Sequence, residues 1–262
     1  MSETMRAARF DRYGPAEVLY EARVPKPVPE PGQVLVRVHA TSVNGGDLHI
    51  RAGRVKVLTG RKFPMATGVD FTGEIASAAP GLEVGDRVWG LRRAGGVAAE
   101  YIAVDPDRLS LAPKGLDLVE AAALPVGTTA ITALRDKARL KAGERLLVRG
   151  AAGGVGAIAV QLGHAMGAHV TALTGAGTVD LVRELGADEA HDYRRADPAA
   201  LGSFDVVLST TGTGLPTYRR LLSPRGRMVT IAFDTDHPLP SLSDIAGAHR
   251  ALEAGGVRVL PA

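Results

Sequence analysis

Between residues 145 and 174 the chain runs strand, glycine-rich turn, helix, strand, an order that few folds accommodate. Arg145-Leu146-Leu147-Val148-Arg149 is a short apolar strand, and Gly150-Ala151-Ala152-Gly153-Gly154-Val155-Gly156 follows it. Ile158, Ala159, Leu162 and Met166 then keep helical spacing, and residues 168–173 read as a second strand. Ending at Gly156, the turn has the pattern A-x-G-x-x-G, a dinucleotide fingerprint with Ala in its first glycine place. Gly153 would let backbone approach a pyrophosphate, and Gly156 would let the helix pack tightly on the strand. The expected phosphate cradle is Ala152, Gly153, Gly154, Val155 and Gly156, backed by the free N–H groups of the helix N-terminus. With 32 glycines in the chain a glycine pattern alone arises by chance; the flanking elements lift this one above that level.

The end of the second strand separates NAD from NADP, because an acid there grips the ribose 2′-hydroxyl. The sequence reads Ala172-Leu173-Thr174-Gly175-Ala176-Gly177, with no acid and no Arg or Lys. NADPH is therefore expected in preference to NADH, by the absence of the acid. Thr174 and Gly175 would line that end of the cofactor.

Around this unit, strands and helices alternate. Residues 118–124 and 128–138 carry helical apolar spacing, with Asp117 as N-cap. Residues 181–185 are helical, and residues 205–209 and 227–231 read as buried strands, so the sheet is expected to be parallel and doubly wound. Residues 243–254 read as a last helix. The first third differs. Residues 33–40, 71–76, 86–90 and 101–104 read as short strands punctuated by Gly and Pro, which suggests a small barrel or partly open sheet. The reading gives an α/β protein with a β-rich domain over 1–117, a dinucleotide-binding domain over 118–237, and 238–262 returning to the first.

Composition excludes several classes. A net charge of +3, with basic residues scattered as doublets, lacks the stripe that nucleic acid requires. No cysteine is present, so disulfides, Cys-ligated zinc and thiol catalysis are out. No apolar stretch approaches a membrane span, and no signal-like segment opens the chain. The expectation is a cytoplasmic protein acting on a small molecule.

These phrases resemble the medium-chain dehydrogenase/reductase superfamily, in its zinc-independent quinone oxidoreductase and enoyl reductase branch. Ser42-Val43-Asn44 through Asp47 carries the resemblance, as do Gly68-Val69-Asp70-Phe71-Thr72-Gly73, Leu124-Pro125 with Gly127-Thr128-Thr129-Ala130, and the glycine turn. So does Leu185-Gly186-Ala187-Asp188 with Asp192-Tyr193. The resemblance implies a GroES-like β domain joined to a Rossmann domain, with the active site in the cleft between them. It implies that Asn44 and Asp47 line the substrate side and that Thr129 contacts the nicotinamide. Tyr193 would lie near the adenosine phosphate, and Thr211, Gly212, Ala232 and Phe233 would flank the cofactor. Zinc-dependent relatives carry Cys where this chain has Asn44, and His where it has Val69, so no catalytic zinc is expected. Asn44 and Asp47 could equally just order a turn.

One departure stands out. After Ile231-Ala232-Phe233 the connection to Pro238 is only Asp234-Thr235-Asp236-His237, so several dozen residues of the family pattern look deleted. The missing part commonly supplies a dimer edge and a pocket wall, so any homo-oligomer would need an altered interface. Two functions stay open. One is hydride transfer to a quinone or to an alkene conjugated to a carbonyl. The other is a non-redox role on the same scaffold, guiding a cyclisation or binding a ligand without chemistry.

Overall fold

The computed structural model describes residues 3–59, 62–92, 94–231 and 258–261. The chain divides into two compact units, Met1–Pro125 and Val126–Ala262.

The first unit is antiparallel. Its elements in order are β1 (Thr4–Phe10), β2 (Tyr20–Pro25), β3 (Val34–Thr41), α1 (Gly45–Arg51), α2 (Lys56–Thr59), β4 (Met65–Ala66), β5 (Asp70–Ile75), β6 (Arg87–Leu91), β7 (Tyr101–Val104), β8 (Leu109–Leu111) and α3 (Leu118–Ala121). A three-stranded sheet runs β2-β1-β4, and a five-stranded sheet runs β7-β3-β5-β6-β8. Alternation along the strands sends one face of the second sheet inward. Val34, Val36, Phe71, Ile75, Val88 and Val104 meet there in a single apolar cluster. The boundary lies past residue 117 because α3 stays with this unit. Asp117 caps it by accepting from the Val119 N–H at 2.7 Å, Leu118 and Ala121 are buried, and the Thr72 hydroxyl donates to the Leu118 carbonyl at 2.7 Å.

The second unit holds α4 (Leu124–Ile131, entering from the first unit), a π-helical turn (Thr132–Lys137), β9 (Arg145–Arg149), α5 (Gly154–Ala165), β10 (His169–Thr174), α6 (Val179–Glu184), β11 (Glu189–Asp192), β12 (Phe204–Ser209), α7 (Leu215–Arg219), β13 (Leu222–Thr230) and β14 (Arg258–Pro261). Its sheet order is β11-β10-β9-β12-β13-β14, and β11 to β13 are parallel neighbours. Strands buried on both faces need apolar residues at successive positions. β9 shows the arrangement: Leu146 and Val148 join the cluster under α5, while Leu147 joins a second cluster on the opposite face with Phe204, Val207 and Met228.

Two expectations need correction. Residues 258–261 do not return to the first unit; they pair antiparallel with β13, Val229 opposite Val259. The outer edge of β13 offers unpaired N–H and C=O groups, and an antiparallel partner satisfies them without a crossover helix. The turn before the long helix also uses Gly150, not Ala151, as its tight residue. The helix expected over 243–254, with Ala232 and Phe233, lies outside the described residues.

Phe71 is fully buried at the centre of the first core, and Trp89, the one tryptophan, pairs with Thr72 on the adjoining strand. Phe71→Ala is expected to cost about 3–5 kcal/mol, read as a lower urea midpoint in Trp89 fluorescence.

Candidate functional site

In an open parallel sheet, ligands settle beyond the carboxyl ends of the strands, where the winding reverses. Here that point falls between β9 and β12. The chain leaves β9 at Gly150, whose φ of +71° is left-handed, and a Cβ there would sit 2.2 Å from the Thr210 hydroxyl. Gly150 and Ala151 both donate to the Leu173 carbonyl at 3.0 Å, which ties the turn to β10. Gly153 is the N-cap of α5, and the first bond of the helical ladder runs from the Ala157 N–H to the Gly153 carbonyl at 2.8 Å. The N–H groups of Gly154, Val155 and Gly156 therefore precede the ladder and point out of its open end. Gly156 could not be any other residue, because a Cβ would meet the Gly150 carbonyl oxygen at 2.1 Å. Gly153 and Gly154 are exposed and Ala152 and Val155 half-buried, so the cradle is accessible from outside.

Thr174 ends β10 almost buried, its hydroxyl 2.6 Å from that of Thr178. No atom lies within 4 Å of where a Cβ would sit on Gly175 or Gly177, leaving open space beside the strand end. Tyr193 follows β11 and donates its N–H to the Thr174 carbonyl at 3.0 Å, so it borders that space. The Arg194 guanidinium stands 5.3 Å from the centre of the Tyr193 ring, and its Nε donates to the Tyr193 hydroxyl at 3.1 Å. The acid beside it, Asp192, is engaged by the Arg194 N–H at 3.1 Å. Reading only along β10 missed Arg194, because a cation one strand away is brought alongside by sheet pairing. Thr211 and Gly212 lie in the bend after β12, half-buried and buried. Thr129 is half-buried on α4, which passes near the start of α5: a Cβ on Gly154 would meet Val126 at 3.4 Å.

The first unit contributes a separate cluster. Asn44 is the N-cap of α1, and the Asp47 carboxylate accepts its N–H at 2.8 Å. The Asn44 amide nitrogen donates to Asp70 at 2.7 Å and to the Ser42 hydroxyl at 3.1 Å, while Ser42 donates to the same Asp70 oxygen at 2.9 Å. Asp47 and Asp70 are both buried. Asp47 thus closes the turn that Asn44 opens. Asn44 is held on both sides: its amide nitrogen is committed to Asp70 and Ser42, and its side chain closes the capping box by accepting from the Asp47 backbone N–H. Asp70 was not singled out in the sequence, where it is one more residue of the Gly68–Gly73 phrase. Burial pushes its carboxyl above the ordinary range, the hydrogen bonds from Ser42 and Asn44 oppose that rise, and the charge of Asp47 adds to it.

Among the described residues no three His, Cys, Asp or Glu side chains come together as a metal cluster, and no helix is long and apolar enough to cross a membrane. A surface groove of about 530 Å³ in the first unit is lined by Arg6, Leu19, Tyr20, His39 and Glu100 among others, and by none of the residues above.

Two family models match the chain: "Alcohol dehydrogenase GroES-like domain" over residues 30–114 and "Zinc-binding dehydrogenase" over residues 154–253. The chain is 36% identical over 245 residues to the chloroplast envelope quinone oxidoreductase homolog of Arabidopsis thaliana, covering 87% of this chain and 74% of that protein. It is 34% identical over 248 residues to the mitochondrial NAD(P)H oxidoreductase of Homo sapiens, covering 83% of this chain and 62% of the relative. Among solved structures, the CurK enoyl reductase superposes with a TM-score of 0.79 at 27% identity, over 87% of this chain and 74% of that one.

The Asp70 cluster yields a pH signature. A carboxyl whose native pKa lies above its unfolded value holds its proton more tightly when folded. Stability therefore falls as pH rises from about 4 through the raised native pKa. Asp70→Asn has no group to titrate there, so the wild-type urea midpoint is expected to fall relative to that of the variant over this range; parallel profiles would contradict it.

Proposed function

This chain belongs to the medium-chain dehydrogenase/reductase superfamily, and we propose that it acts there as a zinc-independent reductase that prefers NADPH. Its acceptor is a quinone or an alkene conjugated to a carbonyl. The observation that carries this reading is the glycine turn at the reversal between β9 and β12, where a Cβ-free backbone and the open first turn of α5 suit a pyrophosphate. The names of the relatives, quinone oxidoreductase, NAD(P)H oxidoreductase and enoyl reductase, support the reaction class.

Three features support the finer points. The end of β10 bears no acid that would repel a 2′-phosphate, and Arg194, stacked on Tyr193, offers it a cation. At the positions where zinc-dependent relatives carry Cys and His, Asn44 commits its nitrogen to Asp70 and Ser42, and Val69 has no donor atom. A cysteine-free chain suits a reducing compartment such as the cytoplasm.

Bound NADPH supplies a hydride from its nicotinamide, and the protein's part is to place and shield it. Gly153 and Gly154 admit the pyrophosphate to the helix end, and Tyr193 with Arg194 receives the ribose phosphate. Thr129 orients the nicotinamide. The acceptor takes hydride at its electron-poor carbon, or at a quinone oxygen or carbon, and solvent provides the proton that completes reduction.

The test is to mix the purified protein with NADPH, EDTA and a panel of quinones and enones, and to follow absorbance of the reduced nicotinamide. Oxidation of NADPH is expected with at least one acceptor, unaffected by EDTA. Arg194→Ala should raise the KM for NADPH about tenfold, the loss of one phosphate contact, and leave that for NADH unchanged. NADPH binding without turnover across the panel would favour a non-redox role, and loss of turnover in EDTA would contradict the zinc-free reading.

A further inference from the structure

The last residue of β9 is an arginine, and it is buried. Arg149 is 7% exposed, at the strand end from which the glycine turn departs. Its Nη1 donates to the Ser209 hydroxyl at 2.9 Å, and its Nη2 donates to the Thr213 carbonyl at 2.7 Å. The guanidinium carbon stands over the ring of Tyr218 on α7, 3.7 Å from the ring centre. Ser209 and Thr213 are the two ends of the bend that follows β12, so one side chain spans the whole bend. Inside it the Ser209 hydroxyl donates a hydrogen bond to the Thr211 carbonyl at 2.6 Å. The backbone of Arg149 holds the same bend from below: its carbonyl accepts from the Thr210 N–H at 3.1 Å and from the Thr210 hydroxyl at 2.8 Å. Gly214, with φ of 64°, closes the bend and starts α7.

A surface bend ordinarily samples several conformations, and a ligand that needs one of them binds more weakly by the fraction populated. This bend carries Thr211 and Gly212, on the far side of the sheet reversal from the glycine turn. We propose that Arg149 is a positioning residue for cofactor binding, a clamp that fixes residues 209–214 in the conformation the dinucleotide meets. The proposal rests on the dinucleotide reading above. The chemistry requires arginine. A planar fork reaches Ser209 and Thr213 at once while its face stacks on Tyr218, and a lysine ammonium has the charge but neither the fork nor the face. Arg149 touches no reacting atom, so its effect falls on binding and leaves the chemical step alone.

The experiment compares wild type, Arg149→Lys and Arg149→Met. NADPH affinity is measured by calorimetry, amide exchange over 209–214 by mass spectrometry, and KM and kcat with an acceptor that turns over. Expected for both variants are an NADPH Kd about tenfold higher, faster exchange confined to 209–214 and α7, and kcat at saturating NADPH within about twofold of wild type. A lower melting temperature with unchanged Kd and unchanged exchange in the bend would make Arg149 a purely structural residue and overturn the proposal. If the Arg149 variants do not fold, Tyr218→Leu removes the stacking face and leaves both hydrogen bonds; the same rise in Kd and exchange supports the clamp, and wild-type values overturn it. If wild type binds no dinucleotide, the functional reading fails, and with it the claim on binding. Faster exchange over 209–214 in the variants would then leave only the mechanical clamp standing.

Discussion

The carbonyl oxygen of Gly150 is the point on which the second unit depends. It accepts the Gly153 N–H and sits where a Cβ on Gly156 would come to 2.1 Å. Strand β9 and helix α5 therefore approach as closely as backbone allows, and only glycine at 156 permits it. From that contact the rest follows. The close approach seals α5 over Leu146 and Val148, fixes the direction of the helix, and turns its unpaired N–H groups toward the sheet reversal. Any larger residue at 156 would lift the helix, open the core and dissolve the cradle together.

Charged groups organise several strand ends of the two units. Arg149, Arg194 and Asp70 are each held by partners that fix an orientation. Asp70 aims the amide of Asn44, and Arg194 lies along Tyr193. Arg149 and Asp70 are buried, so each folds at a desolvation cost that good hydrogen bonds must offset, and each sits at the end of a strand, where the sheets leave polar groups to be satisfied. Folding and the candidate site thus draw on the same residues.

How much of this was legible in the sequence depends on distance along the chain. The glycine turn, β9, β10 and β12 were readable because strand and helix periodicity are local, and so was Asp117 as a cap. The boundary was misplaced because α3 looks like the start of the helical half, while tertiary contacts with β3, β5 and β6, among them the Thr72 hydroxyl bond, bind it to the first unit. Gly150 stands one place ahead of the A-x-G-x-x-G pattern, and its positive φ leaves no trace in a glycine-rich run. Arg194 and Asp70 escaped because long-range contacts set their surroundings: Tyr193, the neighbour of Arg194, is tied to Thr174 on the adjoining strand, and Asp70 at the start of β5 meets Asn44 at the start of α1. The antiparallel seat of residues 258–261 was equally non-local. A pairing register is set by which edge is free, and no short stretch of sequence records that.

The central claim is that a dinucleotide pyrophosphate lies on the first turn of α5. Gly153→Asp tests it with little risk to folding, because aspartate is itself a favoured N-cap, and its Cβ would stand 3.2 Å from the Gly150 carbonyl, a contact eased by a shift of a few tenths of an ångström. The carboxylate would occupy the place of the phosphates and repel them. Calorimetric titration with NADPH is predicted to show saturable binding to wild type and none to a folded Gly153→Asp variant; equal affinity for both would contradict the assignment.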